Sequence, residues 1–385
     1  MIVVLSRFPY PLEKGDKLRA YYQLLELSER FEVHLVCTTE QDVSAEDRAA
    51  ISPYCAKMHV FKLQKISILW NLFLALFSKK PFQVAYFYQR PIHRAIRRII
   101  HETQPAAIFC QLIRATEYVK HEHACPKTLD YMDAFSKGME RRIADGRGIA
   151  KWLFRTESKR LGQYERQVFD YFEHHTVISA QDRNYILHPS RQQIVLVPNG
   201  VDSRFFGQAG TNPQYDLLFT GNMSYAPNIA ATQFIATELL PLLHQELPHL
   251  NCLISGATPH ASLKNLGNSK LVIGGWIEDI RDSYSNARIF IAPMLIGAGL
   301  QNKLLEAMAM GLPCITTTLA NNALLAKPET EILIADDAAT CAIQVKRLLA
   351  SPELYAQISA AGRRFVQDNY QWASANRTLI ELLES

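Results

Sequence analysis

Short apolar runs alternate with stretches of helical period almost throughout this chain, and the alternation starts twice. Runs of four to six apolar residues fit strands buried on both faces of a parallel sheet, and parallel neighbours need long crossovers. The first series predicts strands at 2–5, 33–37, 58–63, 84–88, 107–110, 128–131, 176–179 and 194–197, with helices at 16–30, 90–102 and 152–172. The second predicts strands at 215–220, 251–254, 271–274, 287–292, 313–317 and 331–335. Its helices fall at 230–245, 277–284, 300–310 and 338–349, and two further helical patterns follow at 352–368 and 372–383. The expectation is an α/β chain of two Rossmann-like domains, each a parallel sheet covered by helices on both sides. A length of 385 residues agrees with two cores. The turn Pro198-Asn199-Gly200-Val201-Asp202 and the polar stretch 207–215 mark the seam. The expected divisions are therefore 1–205, 206–368 and a terminal helix from 369 to 385.

The composition excludes several classes. An apolar share of 48% and a charged share of 20% are those of a folded chain. Seven scattered cysteines without Cys-x-x-Cys spacing read as reduced thiols of a cytoplasmic protein. The first residues read as a strand and lack the basic and long apolar regions of a signal peptide. The apolar segment 66–77 is too short to span a membrane and is interrupted by Asn71. Charge is uneven: residues 1–205 carry 30 Lys and Arg against 22 Asp and Glu, and the remainder carries 11 against 15. A basic first half suits an anionic partner, although charges scattered over solvated faces give the same count.

The densest chemistry lies at 291–315. It reads as a buried strand, a loop Gly297-Ala298-Gly299, an amphipathic helix, a Gly311-Leu312-Pro313 break and another buried strand. Lys303 and Glu306 stand three apart in the first turns of that helix and share a face. A helix N-terminus favours an anion. A cation and a carboxylate beside it suit a ligand with both phosphate and hydroxyls, such as a nucleotide sugar; an ordinary surface ion pair has the same spacing. No Gly-x-Gly-x-x-Gly or P-loop follows the first strand, which argues against a nicotinamide or flavin site there. A proline-rich loop leads instead to Gly15, where backbone can approach a ligand, and to Lys17 and Arg19, which could reach phosphates or lie in a solvated helical turn. Asp130 and Asp133 stand at the carboxyl end of a predicted strand, where one could take a proton from an acceptor hydroxyl. Asp133 reads equally well as a helix cap.

The loop with Gly15, the Val197-Pro-Asn-Gly-Val-Asp202 seam, the Phe219-Thr220-Gly221 opening of the second domain and the Gly299–Gly311 helix together resemble retaining glycosyltransferases of the GT-B fold, in group 1, family four. The likeness runs in order over nearly the whole chain. It implies a metal-independent enzyme whose donor, a nucleotide diphosphate sugar, binds the second domain while a glycan or lipid-linked acceptor binds the first. By that resemblance Glu306 would accept from ribose hydroxyls and Lys303 would contact the diphosphate. The backbone at Gly299, Leu300, Gln301 and Asn302 would meet sugar or phosphate, with Gly221 and Asn222 beside them. The Gly275-Trp276-Ile277 turn would edge the base, and the final helix would cross back to the first domain. Three departures stand out. Ala298 replaces the first of two glutamates often eight apart, Asn222 and Pro227 stand where an Arg and a Lys are common, and a first-domain histidine has no match near Arg114. The pattern resembles a sub-branch found with exopolysaccharide or cell-surface glycan synthesis.

The remaining constellations are weaker. His121-Glu122-His123 could bind a metal, but its spacing and the following Pro126 favour a loop. Segment 66–77 is apolar around most of its circumference and is flanked by Lys62, Lys65, Lys79 and Lys80, with Arg90, Arg94, Arg97 and Arg98 beyond. That describes a helix lying in an anionic membrane interface, or a buried domain helix. No basic platform interleaved with aromatics points to nucleic acid. The combined expectation is a cytoplasmic glycosyltransferase, peripheral on the inner face of the membrane, with Lys303, Arg19, Asp130 and Asp133 as its catalytic candidates and no cofactor beyond the sugar nucleotide. The alternatives are a sugar-nucleotide epimerase on the same architecture, or a nucleotide-sugar-binding protein without catalysis.

Overall fold

The computed structural model describes residues 1–145, 148–207, 212–257, 261–263, 265–296 and 299–384. The chain divides into two compact units, Met1–Pro198 with Trp372–Ser385, and Asn199–Gln371.

The first unit holds seven strands: β1 (Ile2–Leu5), β2 (His34–Thr39), β3 (Lys57–Lys62), β4 (Ile108–Gln111), β5 (Lys127–Asp130), β6 (His174–Val177) and β7 (Val195–Leu196). They form one parallel sheet in the order β3-β2-β1-β4-β5-β6-β7. Ile2 registers with His34 on one side and Ile108 on the other, so the strand order reverses at β1. Alternation along β1 splits the core. Ile2 and Val4 join one cluster with Ile92, Ile96 and Ile100 of the helix Arg90–Thr103. Val3 and Leu5 join the other with Leu24 and Leu27 of the helix Gly15–Ser28 and with Ala375, Leu379 and Leu383 of the helix Trp372–Glu384. Trp372 stacks on Tyr22 with centroids 4.8 Å apart, and the Asn376 amide donates to the Tyr22 carbonyl at 3.0 Å.

One expected strand is a helix. Residues 84–88 lie in the helix Phe82–Phe87, with Val84, Ala85 and Phe87 buried. A short apolar run does not distinguish a buried strand from a buried helical turn. Here the carboxylate of Glu157 accepts from the leading N–H groups of Phe82 and Gln83 at 2.8 and 2.9 Å, which stabilises a helix start.

The second unit holds β8 (Tyr215–Thr220), β9 (Cys252–Ser255), β10 (Leu271–Ile273), β11 (Ala287–Ala292), β12 (Cys314–Thr316) and β13 (Leu333–Ile334). Their parallel order is β10-β9-β8-β11-β12-β13, reversing at β8. The unit starts at Asn199, before the expected 206, because Val201 is part of its core and donates its N–H to the Tyr370 carbonyl at 2.7 Å. Both units are thus α/β with parallel sheets, as the alternation predicted. All seven cysteines are free thiols, and five are buried. Among the described residues no helix is long and apolar enough to cross a membrane.

Candidate functional site

In open parallel sheets, ligands collect beyond the carboxyl ends of the strands where the strand order reverses. In the second unit that place is the end of β8. Gly221 follows β8 and Gly256 follows β9, at φ +156° and +138°. A Cβ on Gly256 would lie 1.9 Å from the Gly221 carbonyl oxygen, so only glycine fits there. Gly221 donates its N–H to the Ser255 carbonyl at 3.0 Å, and Gly256 donates to the Gly275 carbonyl at 3.3 Å. The ends of β8, β9 and β10 are therefore laced together backbone to backbone. Gly275 itself has open space where a Cβ would stand, and Trp276 beside it is 71% exposed while Ile277 is half-buried.

The close approach at Gly221 makes room for two side chains. A Cβ there would stand 2.6 Å from the Asn228 amide nitrogen and 3.2 Å from Lys303 Nζ. Asn228 is buried; its amide donates to the Asn222 carbonyl at 2.9 Å and its oxygen accepts from Lys303 Nζ. The Lys303 ammonium also lies 4.6 Å from the Phe219 ring centroid and 3.9 Å from Met294 Sδ. Aromatic face, thioether and amide replace few of the water contacts of an ammonium. Desolvation accordingly pulls Lys303 down to about 7, with Glu306 opposing.

Glu306 is one turn further along the helix Asn302–Ala309. Tyr284 donates its hydroxyl to Glu306 Oε2 at 2.8 Å. A phenol has one hydrogen, so the Thr220 hydroxyl, 2.9 Å away, donates to the Tyr284 oxygen. The chain Thr220–Tyr284–Glu306 thus runs from the end of β8 through a fully buried phenol to the carboxylate. Burial pushes the Glu306 carboxyl up, the Tyr284 bond and Lys303 draw it down, and Asp202 adds an upward push. Among the described residues Glu306 Oε1 has no hydrogen-bond donor.

The same helix begins without a side-chain cap and without an acid in its first turn. Gln301 turns its amide to the Gly299 carbonyl at 3.1 Å, and Asn302 accepts from Asn199 at 3.3 Å. Gly299 has φ +98°, which disfavours any other residue. Leu300 packs against the core of the unit. Gly297 and Ala298 lie outside the described residues. What stands together here is an uncapped helix N-terminus, a poorly solvated lysine and a half-buried carboxylate with a free oxygen. Such a group can hold a phosphate and accept from vicinal hydroxyls.

The candidates in the first unit are placed differently. Arg19 and Asp130 are wholly buried and paired, with Nε to Oδ2 at 2.6 Å and Nη2 to Oδ1 at 3.2 Å. Asp130 also accepts from Gln23, Thr176 and the Met132 N–H at 3.1, 2.9 and 3.1 Å. The expectation that Arg19 reaches a phosphate and Asp130 takes a proton is corrected: both are spent on one internal network with no solvent-facing atom. Asp133, by contrast, is exposed. Desolvation by the surrounding protein and the nearby carboxylates, Asp182 foremost, push its carboxyl up, against Arg114. Gly15 opens its helix with room for a side chain, 3.5 Å from Met132, so no steric need for glycine exists there. Lys17 donates to the Tyr10 carbonyl at 3.2 Å. Among the described residues no group of three His, Cys, Asp or Glu side chains is placed to hold a metal. Sequence reading missed Tyr284, Thr220, Asn228 and Gly256. Only the Gly221–Asn228 stretch carried a signal, its glycine followed by Pro227-Asn228 at a helix start.

Residues 214–351, the region built around this group, match the family described as glycosyl transferases group 1. An uncharacterized 44.6 kDa protein in the cps region of Klebsiella pneumoniae is 22% identical over 393 residues, covering 96% of both chains. Among solved structures, Anabaena HepE in complex with UDP and glucose superposes with a TM-score of 0.69 at 13% identity, covering 100% of this chain and 99% of that one. Sucrose-phosphate synthase from Thermosynechococcus elongatus gives 0.68 at 15% identity, covering 100% and 98%. Staphylococcus aureus TarM gives 0.67 at 9%, covering 100% and 98%. The fold is that of GT-B glycosyltransferases, and the family match supports a glycosyltransferase.

Proposed function

We propose that this chain moves a sugar from a nucleotide diphosphate sugar to a glycan or lipid-linked acceptor, with retention of configuration and without a metal. The observation that carries the reading is the juxtaposition of Lys303, Glu306 and an uncapped helix N-terminus at the carboxyl end of β8. Glu306 accepts from the ribose hydroxyls through its free oxygen. Lys303 and the N–H groups of the Asn302–Ala309 helix face the diphosphate. Gly299, Leu300, Gln301, Gly221 and Asn222 line the phosphate and sugar, and Gly275, Trp276 and Ile277 edge the base. Charge on the departing diphosphate grows in the transition state, so a lysine already stripped of water stabilises that state more than the ground state. In the first unit Asp133 is the acceptor-side base, since its raised carboxyl lies nearer to neutrality than an ordinary aspartate's. We place this activity in the cytoplasm and in surface polysaccharide synthesis, and the location of the Klebsiella relative in a cps region supports the latter.

Incubation with a panel of nucleotide sugars and acceptor extracts, with and without EDTA, tests this. A new glycoside with the donor's anomeric configuration, formed equally in EDTA, is expected. An interconverted donor, or nucleotide binding without turnover across the panel, would overturn it.

A further inference from the structure

The helix Lys65–Leu76 in the first unit shows more apolar surface than a stable monomeric surface carries. Ile66, Leu69 and Phe77 are 84%, 68% and 78% exposed, and Trp70, Phe73, Leu74 and Leu76 are also open to solvent. Only Ile68 and Ala75 of this helix are buried. Trp70 stacks on Phe73, and Phe73 meets Phe77 edge-on, so the large rings form one continuous ridge. A cavity of about 730 Å³ opens along the ridge, between Ile66, Trp70 and Leu74 on one side and Ala85, Tyr88 and Pro91 on the other.

The apolar surface continues beyond that helix. Arg160, in the helix Gly148–Phe169, donates to the carbonyls of Ala75 and Leu76 at 2.7 and 3.4 Å, which fixes the two helices together. Ile149, Trp152 and Leu153 precede Arg160 on the same stripe and are all exposed. By helix rise they begin about 10–16 Å from it. A patch spread over two helices exceeds what one small ligand covers.

Charge identifies the partner. Residues 48–101 contain no Asp or Glu, while 57–101 contain nine Lys and Arg. Lys62, Lys80 and Arg97 pair with Asp42, Glu117 and Glu122, but Lys65, Lys79, Arg90, Arg94 and Arg98 form no ion pair among the described residues. Arg90 lines the cavity mouth, and Arg94, Arg97 and Arg98 continue from it at helical spacing along Arg90–Thr103, all exposed. An apolar ridge bordered by unpaired cations is complementary to an anionic lipid surface, whose chains take the ridge and whose phosphates take the cations.

We propose that the ridge of Lys65–Leu76 is a docking surface for an anionic bilayer, with Trp70 at the level of the acyl chains, one chain seated in the cavity beside it and Arg90 on the phosphate at its mouth. The proposal does not depend on sugar transfer.

Flotation of the full chain with equimolar phosphatidylglycerol–phosphatidylcholine vesicles tests it, against phosphatidylcholine alone. Binding to the anionic vesicles is expected at low salt and should fade as salt rises. Leu69→Asp with Phe73→Asp should cut partitioning at least about tenfold, because two large apolar groups leave the lipid. Arg90→Gln with Arg94→Gln and Arg98→Gln should cut it by a similar factor and flatten the salt dependence. Brominated lipid should quench the tryptophan fluorescence of the parent, and Trp70→Phe should reduce that quenching. All these positions are exposed, and unchanged UDP binding by each variant checks folding. Absence of flotation with UDP binding intact would overturn this proposal alone. So would a sedimentation dimer that Leu69→Asp with Phe73→Asp dissociates, since a second copy would then cover the ridge.

Discussion

Tyr284→Phe replaces one hydroxyl of the donor-side group by a hydrogen and changes nothing else. The lost bond, 2.8 Å to Glu306 Oε2, joins a buried phenol to a carboxylate. Hydrogen bonds to charged groups contribute about 1.5–3 kcal/mol. Glu306 is only half-buried, so water regains part of the loss and the lower figure applies. About 1.5 kcal/mol corresponds to roughly tenfold in affinity. The Thr220 hydroxyl also loses its acceptor at 2.9 Å, which lowers the unfolding midpoint by a few degrees. The acid limb supplies a second readout. If Glu306 takes the proposed role, it accepts ribose hydroxyls as the carboxylate, so nucleotide binding should weaken as pH falls through its already raised carboxyl pKa. Tyr284 draws that value down, so the phenylalanine variant should lose binding at a higher pH than the parent. Calorimetric titration with UDP or its preferred counterpart, repeated across pH, measures both. Equal affinity and an unmoved acid limb would refute the idea that Tyr284 holds the carboxylate, whatever the stability change.

Three further outcomes are expected. Lys303→Gln should lower turnover by about a hundredfold while donor KM changes less. In the parent, a lysine held near 7 is charged below that value, so nucleotide affinity of the free protein should fall as pH rises through about 7, and this limb should vanish in the variant. Gly256→Ala places a methyl 1.9 Å from a backbone oxygen at φ +138°, so the second unit should lose more than about 3 kcal/mol in urea titration; near-parental stability would mean the strand ends can part. Arg19→Met leaves Asp130 buried without its cation and should cost about 3–5 kcal/mol in the first unit, with the affinity for whichever nucleotide the chain binds unchanged. A stable variant with impaired turnover would instead return Arg19 to the reacting groups.

Local pattern carried most of the architecture. β8 and β11 are runs whose neighbours on both sides are polar or turn-forming, and their limits were legible from hydropathy alone. Residues 84–88 were misread because the group that makes them helical is Glu157, more than seventy positions away. The same distance problem governs the site. Lys303 and Glu306 share one helix face, so spacing alone placed them side by side. Arg19 and Asp130 are 111 residues apart, and nothing local says that two charged side chains will find each other beneath the surface. Tyr284 sits 22 residues before Glu306 in a short polar helix with no distinguishing pattern, so only the packing of that helix against β8 and β11 reveals what its hydroxyl serves.

The placement of Trp372–Glu384 has a consequence for biogenesis. Its Ala375, Leu379 and Leu383 supply part of the core beneath the helix Gly15–Ser28, and Trp372 lies flat on Tyr22. The unit whose first strand leaves the ribosome earliest therefore cannot close until the whole second unit has been made. Through that interval Leu24, Leu27 and their neighbours await their partner, a window in which a chaperone could engage them. A stop at residue 371 would consequently leave the second unit whole and the first one open, although the deletion lies at the opposite end of the chain from the strands it harms.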